Sequence, residues 1–168
     1  IRNDVHAIYG FVRFADEIVD SFHGFEKETL LAEFTRDTFQ AIEREISLNP
    51  ILNSFQRAVN KYDIDHELIY SFFHSMEMDL NPLSYDEMKY NEYIFGSAEV
   101  VGLMCLKIFV YGDNAEYEKL KPYAKKLGSA FQKINFLRDL KDDRSDLGRL
   151  YFPNIGDGGI SHENKLEI

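Results

Sequence analysis

The chain has 168 residues, 45% of them hydrophobic and 14% aromatic, which is one domain's worth and long enough to bury a core of its own. A net charge of −10 excludes the basic footprint of a nucleic-acid partner and attachment to an anionic membrane by charge alone, while leaving phosphates open to binding through metal ions. The single cysteine, Cys105, excludes an internal disulfide, and its apolar surroundings make it a core residue.

Taken in chain order, the elements all read as helix. Ile8, Phe11, Val12, Ala15, Ile18, Val19 and Phe22 recur at helical spacing, so the chain opens inside a helix that His23-Gly24 ends. With no capping residue ahead of Ile1 and no basic region followed by an apolar run, this start reads as part of a longer chain with no secretory signal. Elements are expected to be missing at both ends. A second helix runs from Glu26 to about Ile46, with Leu30, Leu31, Phe34, Phe39 and Ile42 inward, and Asn49-Pro50 breaks it. Shorter helices follow near 51–62 and 66–78. Asp63, three residues before His66, is expected to cap a helix. Asn81-Pro82 marks a turn, and Ser84 with Glu87 three residues on predicts the N-cap of a long helix reaching about Val110.

Glu99 and Lys107 interrupt the apolar run 94–110, so it predicts a buried core helix rather than a membrane span. Gly96, Ser97, Ala98 and Gly102 would let another helix or a ligand approach its backbone closely. After a loop at 111–114, a last helix runs from about Glu116, or from nearer Pro122, to Asp143. From Ser145 the chain turns irregular. No stretch alternates with a period of two, so no sheet is expected. The prediction is one all-α helical domain over 1–168. His74, Glu77 and Asp79 share a helical stretch, but no Glu-x-x-His pair accompanies them, which argues against a di-iron bundle.

Two carboxylate pairs stand out. Asp16 and Asp20 are four residues apart on the first helix, and Asp139 and Asp143 are four apart on the last. That spacing puts both carboxylates of a pair on one face, where like charges repel unless a cation lies between them. Hard cations such as magnesium take carboxylates together with substrate phosphates as ligands. At 100° per residue, Tyr9, Arg13, Asp16 and Asp20 fall within an arc of roughly 60°, and Gln132, Asn135, Asp139 and Asp143 within roughly 80°. Each polar stripe borders the apolar face of its helix, as a polar site at the end of an apolar cavity would. Arg13 and Arg138 add cations suited to phosphate. Either pair alone is more commonly a solvated helix face; two pairs, each with an arginine at short distance, favour a site.

The stretches carrying these residues, YGFVRFADEIVD at 9–20 and QKINFLRDLKDD at 132–143, resemble the two aspartate-rich motifs of the squalene/phytoene synthase family. GRLYFP at 148–153 is similar to the stretch that follows the second motif. YIFGSAEVVG at 93–102 resembles the helix whose small residues line that family's prenyl pocket, except that Glu99 stands where many members have a small residue. The resemblance implies an all-α class I terpenoid synthase fold and a prenyltransferase of isoprenoid and carotenoid biosynthesis. It would join two prenyl diphosphates head to head through a cyclopropyl intermediate. It implies metal at Asp16, Asp20, Asp139 and Asp143, with magnesium or else manganese as the ion. Arg13, Arg138, Gln132, Asn135 and Tyr93 would lie at or near the diphosphates, and Tyr9 beside the reacting carbons. Phytoene synthesis from C20 chains is the first expectation. The alternatives are squalene or dehydrosqualene synthesis from C15 chains, NADPH being needed only for squalene, and an inactive relative serving in assembly or binding. The expected partners are prenyl diphosphates and no nucleic acid. The expected location is cytoplasmic, peripheral to a membrane that receives the apolar product.

Overall fold

The computed structural model describes residues 1–80 and 86–145, with side chains through 138. It is all-α, with no strand among the described residues. The helices are α1 (Arg2–Asp20), α2 (Lys27–Arg44), α3 (Pro50–Tyr62), α4 (His66–Leu80), α5 (Glu87–Ile94), α6 (Val100–Phe109) and α7 (Asn114–Ser145), with a π-helical segment, Phe95–Glu99, joining α5 to α6. All six predicted helices are present, and the π segment divides the fifth.

Local chemistry sets the boundaries. Gly24, at a φ of +82°, reverses the chain after α1, and Lys27 Nζ donates to the carbonyls of Val19 at 2.8 Å and Asp20 at 3.3 Å. This satisfies carbonyls that the helix end leaves open and sets a cation against its negative pole. Asn49 caps α3, its side chain accepting from the amides of Ile51 and Leu52, with Pro50 in the first helical position. Asp63 caps a helix end rather than a start: it closes α3 in the left-handed region, at a φ of 50°. The residue that serves the start of α4 is Asp65, which accepts from the Glu67 amide at 3.0 Å. Asp86 caps α5 by accepting from Lys89 at 2.8 Å. The predicted turn at Asn81-Pro82, the Ser84 cap and the irregular tail with Gly148 to Pro153 lie outside the described residues. Asp113 caps α7 by accepting from Glu116, so Pro122 falls inside that helix and not at its start.

The core is aromatic and centred on Phe11 of α1. Its ring stacks on Phe55 of α3, with centroids 3.8 Å apart, and meets Phe34, Phe72 and Phe73 from α2 and α4. Burying rings of this size dominates the packing energy, and offset or edge contacts add to it. Asp4 ties α1 to α3 by accepting from the Tyr62 hydroxyl at 2.7 Å and from Lys61. α7 packs on the π segment and α6, while α1 packs on α3, α2, α6 and α4.

Glycine permits the closest approaches. A Cβ on Gly96 would lie 2.1 Å from Ser75 Oγ and 2.2 Å from the Ser71 carbonyl oxygen of α4, and one on Gly128 would lie 2.7 Å from the Ala98 carbonyl oxygen. The small residues of 96–102 therefore admit both a neighbouring helix on each side and, as described next, an open cavity. No described helix is long and apolar enough to cross a membrane.

Candidate active site

A cavity of about 750 Å³ opens between α1, α4, the π segment, α6 and α7. Its long wall is apolar: Val12, Met76, Val101, Leu106, Leu120 and Leu127, with Phe109, Phe131 and Phe136. Its polar groups are Asp16 and Asp20 of α1, Asp79 of α4, Tyr93 of α5, and Gln132 and Asn135 of α7. Five residues expected from sequence, Asp16, Asp20, Tyr93, Gln132 and Asn135, thus share one wall system although more than 100 residues separate the two stripes. Ser97, Ala98 and Gly102 line the cavity as well, and Ser97 Oγ is buried with no hydrogen-bond partner among the described residues.

Three carboxylates, Asp16, Asp20 and Asp79, share the polar end of the cavity. Burial, and then the neighbouring Asp20 and Asp79 carboxylates, push the Asp16 carboxyl from 3.8 up to about 7, against a smaller opposing pull from Arg13. Asp79 is only 6% exposed and accepts from the Tyr93 hydroxyl at 2.7 Å. The side chain of Cys105 also lines the cavity, and burial raises its thiol above the ordinary value, which fits a core role and not a nucleophile.

Other expected residues sit elsewhere. Arg13 does not line the cavity and pairs with Glu17 on the outer side of α1. Tyr9 is 67% exposed and also lies outside the lining. Arg138 is exposed on α7. The backbone of α7 continues through Asp139 and Asp143, whose side chains lie outside the described residues. Glu99 faces a partner helix: it pairs with Lys125 of α7 at 3.2 Å, and that ammonium also lies 4.8 Å from the centroid of the Phe95 ring.

Asp79 is the site residue that the motif reading passed over. Its signal was present, because Phe72, Met76 and Asp79 follow one another at four and three residues, which puts this carboxylate on the apolar face of α4.

Among the described residues no three His, Cys, Asp or Glu side chains converge closely enough to hold a metal by themselves. The donor chemistry nevertheless fits a hard divalent cation. Asp16 and Asp20 offer only oxygen, one helical turn apart at the cavity wall, and the repulsion that Asp20 and Asp79 exert on the Asp16 carboxylate is one a cation would relieve.

A family model described as squalene/phytoene synthase matches residues 1–155. Among similar proteins, a presqualene diphosphate synthase of Rhodopseudomonas palustris is 29% identical, over 91% of this chain and 53% of its own length. A 15-cis-phytoene synthase of Pantoea ananas is 29% identical, over 97% of this chain and 55% of its own length. A 4,4'-diapophytoene synthase of Staphylococcus haemolyticus is 28% identical, over 99% and 58%. The chain spans about half the length of these curated relatives.

Proposed function

The chain belongs to the squalene/phytoene synthase family, and from that premise we propose that it catalyses head-to-head condensation of two prenyl diphosphates. The observation that carries this reading is the single cavity in which Asp16 and Asp20 meet Gln132 and Asn135 at the end of a long apolar wall. A prenyl diphosphate has the same two-part character, a dianionic or trianionic head on a hydrocarbon chain.

Asp16 and Asp20 would hold magnesium from α1. On α7 the stripe of Gln132 and Asn135 extends by helical spacing to Asp139 and Asp143, which would hold it from the other side. The ions supply charge neutralisation of the departing diphosphate. Gln132 and Asn135 orient the diphosphate oxygens by donating from their side-chain amides, and Arg138 adds positive charge nearby. The allylic carbon–oxygen bond breaks with its electron pair leaving on the diphosphate. The cationic carbon then bonds to the double bond of the second chain, and loss of a proton closes the cyclopropane ring; for a hydrocarbon product the second diphosphate leaves in turn with its electron pair, and the rearranged cation loses a proton. Phe131, Phe136 and Tyr93 line that path, where their rings would stabilise the cationic carbon. Roles for Tyr9 and Arg13 rest on the family resemblance alone.

The relatives bear the names of phytoene, diapophytoene and presqualene diphosphate synthases, so their names do not separate chain lengths. Phytoene synthesis from two C20 diphosphates is the reading preferred from the second motif and the GRLYFP tail, with C15 substrates as the second reading. Incubating the full-length protein with C15 or C20 diphosphates and magnesium, with and without reduced nicotinamide, and weighing the product decides both. A C40 hydrocarbon from the C20 substrate is expected. No coupled product from either substrate contradicts the proposal.

A further inference from the structure

Tyr93 is held at two points by one face of α4. Ser75 Oγ donates to the Tyr93 carbonyl at 3.2 Å, and one turn later Asp79 Oδ2 accepts from the Tyr93 hydroxyl at 2.7 Å. Ser75, Asp79 and Tyr93 are 0%, 6% and 4% exposed. The approach that allows this grip depends on Gly96, where a Cβ would strike Ser75 Oγ and the Ser71 carbonyl. The Tyr93 ring is braced on its other side by Phe136 of α7, with centroids 5.9 Å apart. A carboxylate this deeply buried is costly to keep unless it is hydrogen-bonded, and the Tyr93 hydroxyl supplies such a bond.

Resting on the condensation reading above, we propose that Asp79 is a positioning residue: it engages the hydroxyl hydrogen of Tyr93 and fixes the phenol in the cavity wall as an acceptor. A phenol whose hydrogen is committed to a carboxylate offers the cavity oxygen lone pairs and an electron-rich ring. Such a group suits a cationic carbon and not a diphosphate oxygen, which needs donors. Asp79 thereby acts through Tyr93 on the carbon chemistry, and the metal-and-diphosphate end is left to the α1 and α7 stripes.

The test is a double-mutant cycle in the full-length protein with magnesium and a prenyl diphosphate, reading kcat, KM and product mass. Tyr93→Phe and Asp79→Ala are each expected to lower kcat by about tenfold to a hundredfold, with KM within about threefold, as positioned polar groups do. The double variant falls no lower than the worse single one, and Asp79→Asn, which keeps an acceptor oxygen, retains more kcat than Asp79→Ala. Losses that multiply, losses confined to KM, or an Asn variant as slow as the Ala variant overturn the proposal. Thermal melting verifies folding; should Asp79→Ala not fold, an unchanged kcat in Tyr93→Phe is itself sufficient to overturn it. Absence of product from the unsubstituted protein overturns the condensation reading and this inference together, whereas product from it with independent losses overturns the inference alone.

Discussion

At the scale of single residues, Asp16 carries the electrostatic character of the site. Its carboxyl is raised from 3.8 to about 7, first by burial and then by Asp20 and Asp79. A carboxyl whose folded-state value exceeds its unfolded value binds more protons when folded. It therefore costs stability progressively as the pH rises from about 4 through about 7. Asp16→Asn removes that cost. The metal-free protein with this substitution is expected to be more stable at neutral pH, by on the order of 1–2 kcal/mol after allowance for partial solvation, with the difference vanishing near pH 4. Melting temperatures across that range measure it, and a variant equally stable at all pH values contradicts it. A second comparison separates a metal site from a generally acidic surface. Asp139→Asn should lower turnover on the order of 10²–10³-fold while folding survives. Asp142→Asn removes the same charge at the edge of the stripe, about 60° from Asp139 and 100° from Asp143 around the helix, and should lower turnover less. Steady-state rates of the two variants decide, and comparable losses would mean that the stripe selects the wrong carboxylates.

At the scale of elements, the cavity owes its shape to the π segment between α5 and α6 and to the small residues it contains. π-helical turns of this kind re-aim side chains within an otherwise continuous helix and are common at functional sites. Gly96→Ala drives a methyl group into Ser75 Oγ and the Ser71 backbone, and should destabilise by about 1–3 kcal/mol. Gly10→Ala, where the added Cβ meets nothing within 4 Å, should stabilise α1 by about 0.5–1 kcal/mol through helix propensity. Denaturant midpoints compare the two, and equal shifts would show that the close approach of α4 is unimportant. These elements also mark what could be read in advance. The helices and the Asp16, Asp20, Gln132 and Asn135 stripes were legible because side chains sharing a helical face recur at three and four residues. The π turn was not, because one extra residue per turn leaves the run of apolar and small residues unchanged. Asp79 is weighed in the sequence only with His74 and Glu77 as a metal set that lacks a Glu-x-x-His pair, although its spacing from Phe72 and Met76 points inward. Arg13 was expected at the cavity, but its guanidinium found a nearer carboxylate, Glu17, one turn along its own helix.

At the scale of the whole molecule, the cavity has an apolar wall that stands open to solvent: Phe109, Tyr123, Leu127 and Phe131 line it and are each at least 60% exposed. The relatives are nearly twice as long as the span matched here. A carbocation needs water excluded, so the proposed chemistry requires this opening to be covered during turnover. The acidic balance of the chain makes a sharper demand. On the proposed reading, a diphosphate alone is expected to meet repulsion from Asp16, Asp20 and Asp79 at one end of the cavity, which a bridging cation would invert. The most direct measurement is calorimetric titration of the full-length protein with a non-ionisable prenyl diphosphate analogue, once with magnesium and once with chelator. Saturable binding with magnesium and at least tenfold weaker binding in chelator is the predicted result; equal affinity under both conditions contradicts the metal-bridged site.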